Sequence, residues 1–159
     1  MTFRIAKKAD LGEILAVQRS AFKDLYEKYH DDETSPYTET IDKIQSRFQA
    51  DNYFYYVLTG NVGEIVGYVG IQTLPDDVVR IGILGVNREA QAGGVGSSML
   101  NSVQNLFLNT RIFELDTILE ESRLVAFYEN RGFERFGDLI VLHEGMTLVK
   151  MRYVVPNRR

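Results

Sequence analysis

Six residues, Gln91-Ala92-Gly93-Gly94-Val95-Gly96, constrain this chain most, because they separate the apolar run Ile81–Val86 from a helix-like segment beginning at Ser97. A strand that breaks into glycines and re-forms as a helix points several backbone N–H groups at one spot. Glycine lets those amides approach a ligand without side-chain obstruction, and the new helix adds the positive end of its dipole. A pyrophosphate suits such a place. The same turn also serves as a plain connection, so its meaning depends on a second segment, Leu124-Val125-Ala126-Phe127-Tyr128-Glu129-Asn130-Arg131-Gly132-Phe133.

The flanks read as one α/β alternation with no repeat and no linker. Phe3–Ile5 reads as an opening strand, and Asp10 with Glu13 has the spacing of a capping pair. Leu11, Ile14, Leu15, Phe22, Leu25, Tyr26 and Tyr29 then follow helical spacing. Ser35-Pro36 predicts a second helix start with proline first, and Tyr37, Ile41, Ile44 and Phe48 lay one apolar stripe along it. Tyr53–Thr59, Glu64–Thr73 and Val78–Val86 read as strands joined by the turn clusters Gly60-Asn61-Val62-Gly63 and Leu74-Pro75-Asp76-Asp77. Links this short predict antiparallel neighbours. Ser97–Asn109 reads as a helix with Met99, Val103, Leu106 and Phe107 facing a core, and the strand Ile112–Leu119 beyond it predicts a parallel crossover. Ser122–Arg131 reads as the last helix, ended by Gly132, and Phe133–Leu142 with Met146–Val155 completes the sheet around His143-Glu144-Gly145. The expected class is α/β, a mixed sheet of about six to seven strands with helices on both faces.

A length of 159 residues suits one core and is too short for two ordinary domains, so residues 1–159 read as a single domain. Cysteine is absent, which excludes disulfides, thiol catalysis and cysteine metal sites. His30 and His143 stand far apart without ligand-spaced partners, so no metal is expected. A net charge of −4 argues against nucleic acid, which wants clustered Lys and Arg, and the terminal Arg158-Arg159 pair reads as a solvated tail. Met1–Ile5 holds no apolar leader core and no run has membrane length, so the expectation is a cytoplasmic protein without a membrane partner.

The two informative segments, in this order and spacing, carry a family resemblance. Val86-Asn87-Arg88-Glu89-Ala90-Gln91-Ala92-Gly93-Gly94-Val95-Gly96 resembles the acetyl-CoA loop of the GCN5-related N-acetyltransferase (GNAT) superfamily, a valine followed by Gln/Arg-x-x-Gly-x-Gly/Ala. Phe127-Tyr128-Glu129-x-x-Gly132-Phe133 resembles its second signature, with tyrosine where the family often faces the thioester sulfur. The element order on both sides fits as well, so the resemblance covers most of the chain. Arg88 stands where many members carry proline, and Glu121 where an asparagine usually touches the cofactor. The resemblance implies a GNAT-like fold that moves acetyl from acetyl-CoA to a primary amine of a small molecule or protein. Transfer would be by direct attack in a ternary complex. The implied partners are acetyl-CoA and the amine acceptor, without nucleic acid, membrane or metal, and a homodimer is left open.

Under that resemblance each residue gains an expected role. Gln91, Ala92, Gly93, Gly94, Val95 and Gly96 supply N–H groups to the pyrophosphate, and Ser97 adds a hydroxyl. The backbone of Leu84, Gly85 and Val86 receives the pantetheine arm as an extra strand along an opened sheet edge. Gly82 and Gly85 suit close approach there, although a strand glycine is often only a bulge. Glu121 is carried as a cofactor contact. Tyr128 is the candidate acid, since a phenol with a reference pKa of about 10 stays protonated at neutral pH and can donate to a thiolate. Its competing reading is a ring packed under the sheet.

No base is assignable from the sequence. Many relatives place a glutamate on the fourth strand, but Val78–Val86 holds one ionisable side chain, Arg80. Glu114, Asp116 and Glu120 compete for the role, each also readable as a solvated or ion-paired carboxylate. His143, with a reference pKa of about 6.5, sits at a hairpin tip. An amine arriving partly neutral needs no base. His30-Asp31-Asp32-Glu33 lies where this family often borders its acceptor site, so it either attracts a cationic amine or forms a solvated, mobile loop. Tyr53, Phe54, Tyr55 and Tyr56 alternate across the sheet as core or as pocket wall. Two functions stay open. Tyr128 in its motif favours an acetyltransferase, whereas the missing strand-four acid favours a non-catalytic GNAT-like module that binds CoA or acyl-CoA. No Gly-Lys-Ser/Thr follows the glycines, which speaks against a phosphate-transferring P-loop.

Overall fold

A computed structural model describes residues 1–156, and the Arg158-Arg159 pair lies outside them. The strands are β1 (Thr2–Ile5), β2 (Tyr53–Thr59), β3 (Ile65–Leu74), β4 (Val78–Val86), β5 (Ile112–Ile118), β6 (Glu134–His143) and β7 (Met146–Val154). The helices are α1 (Leu11–Tyr29), α2 (Ile41–Gln49), α3 (Val95–Leu106) and α4 (Ser122–Glu129). The strands form one mixed sheet in the order β1-β2-β3-β4-β5-β7-β6. The expected parallel pair is β4 with β5, where Val78, Val79 and Arg80 lie opposite Ile112, Phe113 and Glu114. β2 runs antiparallel to β1 and β3, and β7 antiparallel to β5 and β6. Among the described residues no helix is long and apolar enough to cross a membrane.

Contacts group the chain into two compact units, Met1–Gln72 with Ile83–Leu108, and Thr73–Gly82 with the segment from Asn109 on. In the first unit, strand alternation divides the apolar residues between two sheet faces. Leu11, Ile14 and Val17 of α1 and Ile44 of α2 pack with Tyr55, Val57, Ile65, Tyr68 and Ile83. Leu58, Val66, Leu84 and Val86 of the same strands pack instead with Val95 and Met99 of α3. Helices thus cover both faces of this part of the sheet. Ile14 and Ile44 are fully buried, and each such side chain contributes about 1.5–3 kcal/mol.

Three local expectations in this unit need correction. Asp10 and Glu13 do not cap α1 with each other. Asp10 pairs with Arg4 at 2.7 Å and accepts the Lys7 N–H at 2.7 Å, while Glu13 accepts the Ile65 N–H at 2.7 Å. Ser35-Pro36 opens a single 3-10 turn, Pro36–Thr38, with the Ser35 hydroxyl accepting the Tyr37 N–H at 3.1 Å. Glu39 is extended, which interrupts the helix, and α2 starts only at Ile41. The cause is tertiary. Gln18, buried in α1, donates to the Pro36 carbonyl at 2.6 Å and to Glu39 Oε1 at 2.9 Å, and accepts the Tyr68 hydroxyl at 2.8 Å. Arg47 grips the Glu39 carboxylate through two bonds of 2.7 Å. Burial alone would raise the Glu39 pKa, but Arg47, Gln18 and Lys43 together outweigh that and hold it below the ordinary value. Finally, α3 begins at Val95 rather than Ser97, and Leu106 faces solvent while Leu100 takes a core position.

In the second unit, β5 alternates cleanly, with Phe113, Leu115 and Thr117 buried. Tyr128 on α4 packs edge-on against Phe133, which in turn meets Tyr153 of β7. β6 is the edge strand and its register slips between Phe136 and Ile140.

Candidate functional site

The glycine turn sits at the end of β4, where Leu84 and Val86 anchor one face of the strand in the α3 core. Gly85 points the other way. A Cβ there would lie 2.5 Å from the Tyr68 ring and 3.3 Å from Phe22, so this glycine makes room for Tyr68. The close approach anticipated at Gly85 is therefore that of a buried tyrosine on this face. Gly82 is exposed.

Beyond Val86 the chain is fastened before it reaches the glycines. The Asn87 N–H donates to the Val66 carbonyl at 2.8 Å, and Asn87 Oδ1 accepts the Glu89 N–H at 3.2 Å. Arg88–Ala90 forms one 3-10 turn. The Gln91 side chain folds back, donating through Nε2 to the Val86 carbonyl at 2.9 Å. Ala92 then takes φ +72° and Gly94 φ +76°. Ala92 is strained there, because a left-handed residue with a Cβ costs about 1–2 kcal/mol. At Gly94 a side chain would meet nothing within 4 Å, so the site in front of it is open. Gln91 to Gly94 are exposed. Ser98 makes the first α3 bond, to the Gly94 carbonyl at 3.0 Å. The amides of Val95 and Gly96 therefore precede the helical ladder and lie at its positive end. Val95 offers only its backbone, since its side chain is buried beside Leu58 and Met99. Ser97 is the third residue of α3, inside the first turn. The arrangement leaves main-chain N–H groups at an exposed helix N-terminus, a geometry that suits an anion.

In the second unit, Tyr128 is 9% exposed and lies 5.1 Å from the Phe127 ring and 5.7 Å from that of Phe133. Burial pushes its phenol up to about 12, with the Arg131 cation pulling the other way. Tyr128 is thus a packed ring whose phenol burial keeps protonated at neutral pH. Glu121 precedes α4, where its carbonyl accepts the Leu124 and Val125 N–H groups at 3.0 and 3.1 Å.

Two of the candidate bases, Asp116 and Glu120, are held by bonds. Asp116 binds Arg80 at 2.6 Å, which accounts for the ionisable side chain of β4. Glu114 lies opposite Arg80 on one side and Arg152 on the other. Glu120 accepts both the N–H and the hydroxyl of Thr147, at 2.7 and 2.8 Å. Those bonds lower its pKa, the backbone N–H most, which suits a fixed anion better than a proton acceptor. His143 is exposed at the hairpin, its Nδ1 3.0 Å from the Glu144 carbonyl. Among the described residues no group of three or more His, Asp or Glu is placed to hold a metal.

The acidic run in the first unit carries hydrogen bonds of its own. His30 ends α1 in a left-handed conformation. Asp31 accepts the Thr34 hydroxyl at 2.9 Å, and Asp32 accepts a short hydrogen bond from Tyr26, whose ring stacks on Tyr37. Glu33 stays exposed. In the aromatic run, Tyr55 is buried, whereas Tyr56 stacks on Phe3.

Sequence reasoning missed Ser20, whose hydroxyl touches both Asn87 and Arg88 from 67 and 68 residues away. It also missed the Gln18–Glu39–Arg47 network. A glutamine inside an amphipathic helix was the one signal available for the network.

Comparison with known proteins agrees with this architecture. The family model described as "Acetyltransferase (GNAT) family" matches residues 19–133. The fold is shared with the ribosomal-protein-S18-alanine N-acetyltransferase from Escherichia coli. The TM-score is 0.77 and the identity 16%, over 99% of this chain and 98% of that one. It is also shared with a spermidine N-acetyltransferase SpeG chimera from Vibrio cholerae and hSSAT. There the TM-score is 0.74 and the identity 16%, over 97% of this chain and 96% of that one. None of the curated proteins compared with the sequence matches it.

Proposed function

The chain belongs to the acetyltransferase (GNAT) family and is therefore an acyltransferase, and from that premise we propose that it carries acetyl from acetyl-CoA to a primary amine by direct attack in a ternary complex. The observation that carries this reading is the exposed glycine turn, with Ala92 and Gly94 at positive φ in front of the α3 N-terminus. Gln91, Ala92, Gly93, Gly94, Val95, Gly96 and Ser97 would hold the pyrophosphate. Leu84, Gly85 and Val86 would hydrogen-bond the pantetheine, with Gln91 already occupying one acceptor position on the Val86 carbonyl. Glu121 is retained as a further cofactor contact. Tyr128 is assigned as the donor to the departing sulfur, supported by its family motif and by a proton it keeps at any physiological pH. The net acidic chain and the exposed Glu33 fit a cationic acceptor.

A second reading, a CoA-binding module without turnover, draws on the engagement of Asp116 with Arg80 and of Glu120 with Thr147. One experiment separates the two. CoA release is followed across an amine library while acetyl-CoA affinity is measured by calorimetry in the parent, Gly94→Glu and Gly94→Ala. Both substitutions carry the same positive-φ strain, but only the glutamate brings an anion into the seat. The enzyme reading expects turnover on at least one amine, binding by the parent and by Gly94→Ala, and none by Gly94→Glu. Tight binding without turnover on any amine would favour the module. Unchanged affinity in a folded Gly94→Glu variant would remove the cofactor assignment altogether.

A further inference from the structure

We propose that Ser20 is a positioning residue that presets the cofactor loop from helix α1, an inference that rests on reading Gln91–Ser97 as the seat of acetyl-CoA. The Ser20 hydroxyl works in both directions. It accepts the Arg88 N–H at 3.1 Å and donates to Asn87 Oδ1 at 3.2 Å. Its one proton is therefore spent on Asn87. That Asn87 oxygen also receives the Glu89 N–H, and the Asn87 carbonyl receives the Ala90 N–H at 2.8 Å. The Arg88 carbonyl then receives the Gln91 N–H at 3.4 Å. A continuous chain of bonds thus runs from α1 through the 3-10 turn to the first residue of the glycine segment. One helical turn beyond Ser20, Asp24 approaches Arg88 at 3.6 Å, but both side chains are more than 60% exposed. Such a pair adds little in water. The hydroxyl is the stronger grip.

The need for a grip follows from Ala92. Alanine rarely adopts φ +72°, so an unsupported loop drifts towards negative φ and turns its amides away from a common point. Binding would then have to reorder the loop, which weakens affinity without touching the chemical step. Ser20 is only half-buried, so water can replace its bonds in an alanine variant. Global stability should hardly move while loop order and affinity do.

The test compares Ser20→Ala, Ser20→Thr and Ile14→Val, the last a core change in the same helix. In ligand-free protein, Ser20→Ala should speed amide exchange about tenfold at Arg88–Gln91 while leaving the α3 interior alone. CoA affinity should fall about tenfold, equivalent to ~1.4 kcal/mol, and the KM for acetyl-CoA should rise with kcat nearly unchanged. Threonine should restore both. Ile14→Val should lower Tm yet keep exchange at the loop and affinity at the parent's values. A parent that binds CoA, with Ser20→Ala exchanging and binding like it, overturns this inference alone. Loss of affinity in Ile14→Val equal to that in Ser20→Ala also overturns it, since generic destabilisation would suffice. A parent that binds no CoA overturns the cofactor reading and this inference with it.

Discussion

Replacing Tyr128 with phenylalanine removes one oxygen and leaves the ring edge-on to Phe127 and Phe133. Burial pushes the Tyr128 phenol up to about 12, whereas a CoA-type thiol, taken as cysteine-like, titrates near about 8.5. Handing over the phenolic proton completely would then be uphill by roughly 5 kcal/mol. The hydroxyl is better suited to stabilise the departing sulfur by hydrogen bonding while keeping its proton. A hydrogen bond to a charged group is worth about 1.5–3 kcal/mol, so kcat should fall about 10- to 150-fold. This overlaps only the lower part of the roughly 10²–10⁴-fold range of general acid–base catalysis. The KM for acetyl-CoA should stay put. The hydroxyl is competent while protonated and is lost as pH rises through about 12, so it should impose no alkaline limb on kcat between about pH 7 and 10. The assay is steady-state turnover of both proteins on a validated amine across that range. Equal kcat values would show that the oxygen is structural. An alkaline limb near pH 10, present in the parent and absent from Tyr128→Phe, would refute the elevated pKa and the argument built on it.

Alkaline stability offers a second check, because burial raises the phenols of Tyr53, Tyr55, Tyr68 and Tyr128 above their ordinary value. Groups with raised folded-state pKa values give stability that is complete below about pH 10 and drains away above it, so circular dichroism and phenolate absorbance should change together there. Early ionisation of these four tyrosines in an intact fold would contradict their burial. In the α1–α2 network, Arg47→Met should cost about 2–4 kcal/mol in urea unfolding, somewhat under the ~3–5 kcal/mol of fully buried pairs, because the Arg47 side chain keeps 22% exposure. Adding Glu39→Gln should recover part of that loss, and a cost below about 1 kcal/mol would make the pair a surface one in effect.

Elements governed by local pattern were legible. β2 and β4 fall on the residues their apolar runs indicated, and the crossover between β4 and β5 gave their parallel pairing. Local signals that tertiary partners could outbid were misread. Ser35 does cap a turn, as its sequence suggests, but Glu39 is drawn inward by Gln18 and Arg47, and the helix waits until Ile41. Asp10 and Glu13 had capping spacing, yet Arg4 and the Ile65 N–H claimed them. Neither competitor lies within the helix being capped, so helical spacing carried no trace of them.

The same division runs through the candidate site. A glycine turn is legible because its conformation is a property of the backbone, and Gly94 adopts the positive φ that glycine takes without strain. Side-chain roles depend on which partners the fold delivers. Asp116 and Glu120 had the right chemistry for a base, but Arg80 binds the one on β5 and Thr147 the one in the turn after it. Asp31 and Asp32 read as a charge patch, and the fold adds that their carboxylates accept hydrogen bonds from Thr34 and from Tyr26 of α1. Ser20 is the converse. A serine within α1 has no signature in sequence, yet the fold brings its hydroxyl to the two residues on which the glycine turn begins. On the proposed reading, the chain's own part in acyl transfer is to hold the thioester in place, since Arg80 and Thr147 already engage Asp116 and Glu120. An amine arriving partly neutral would then need no base from the protein.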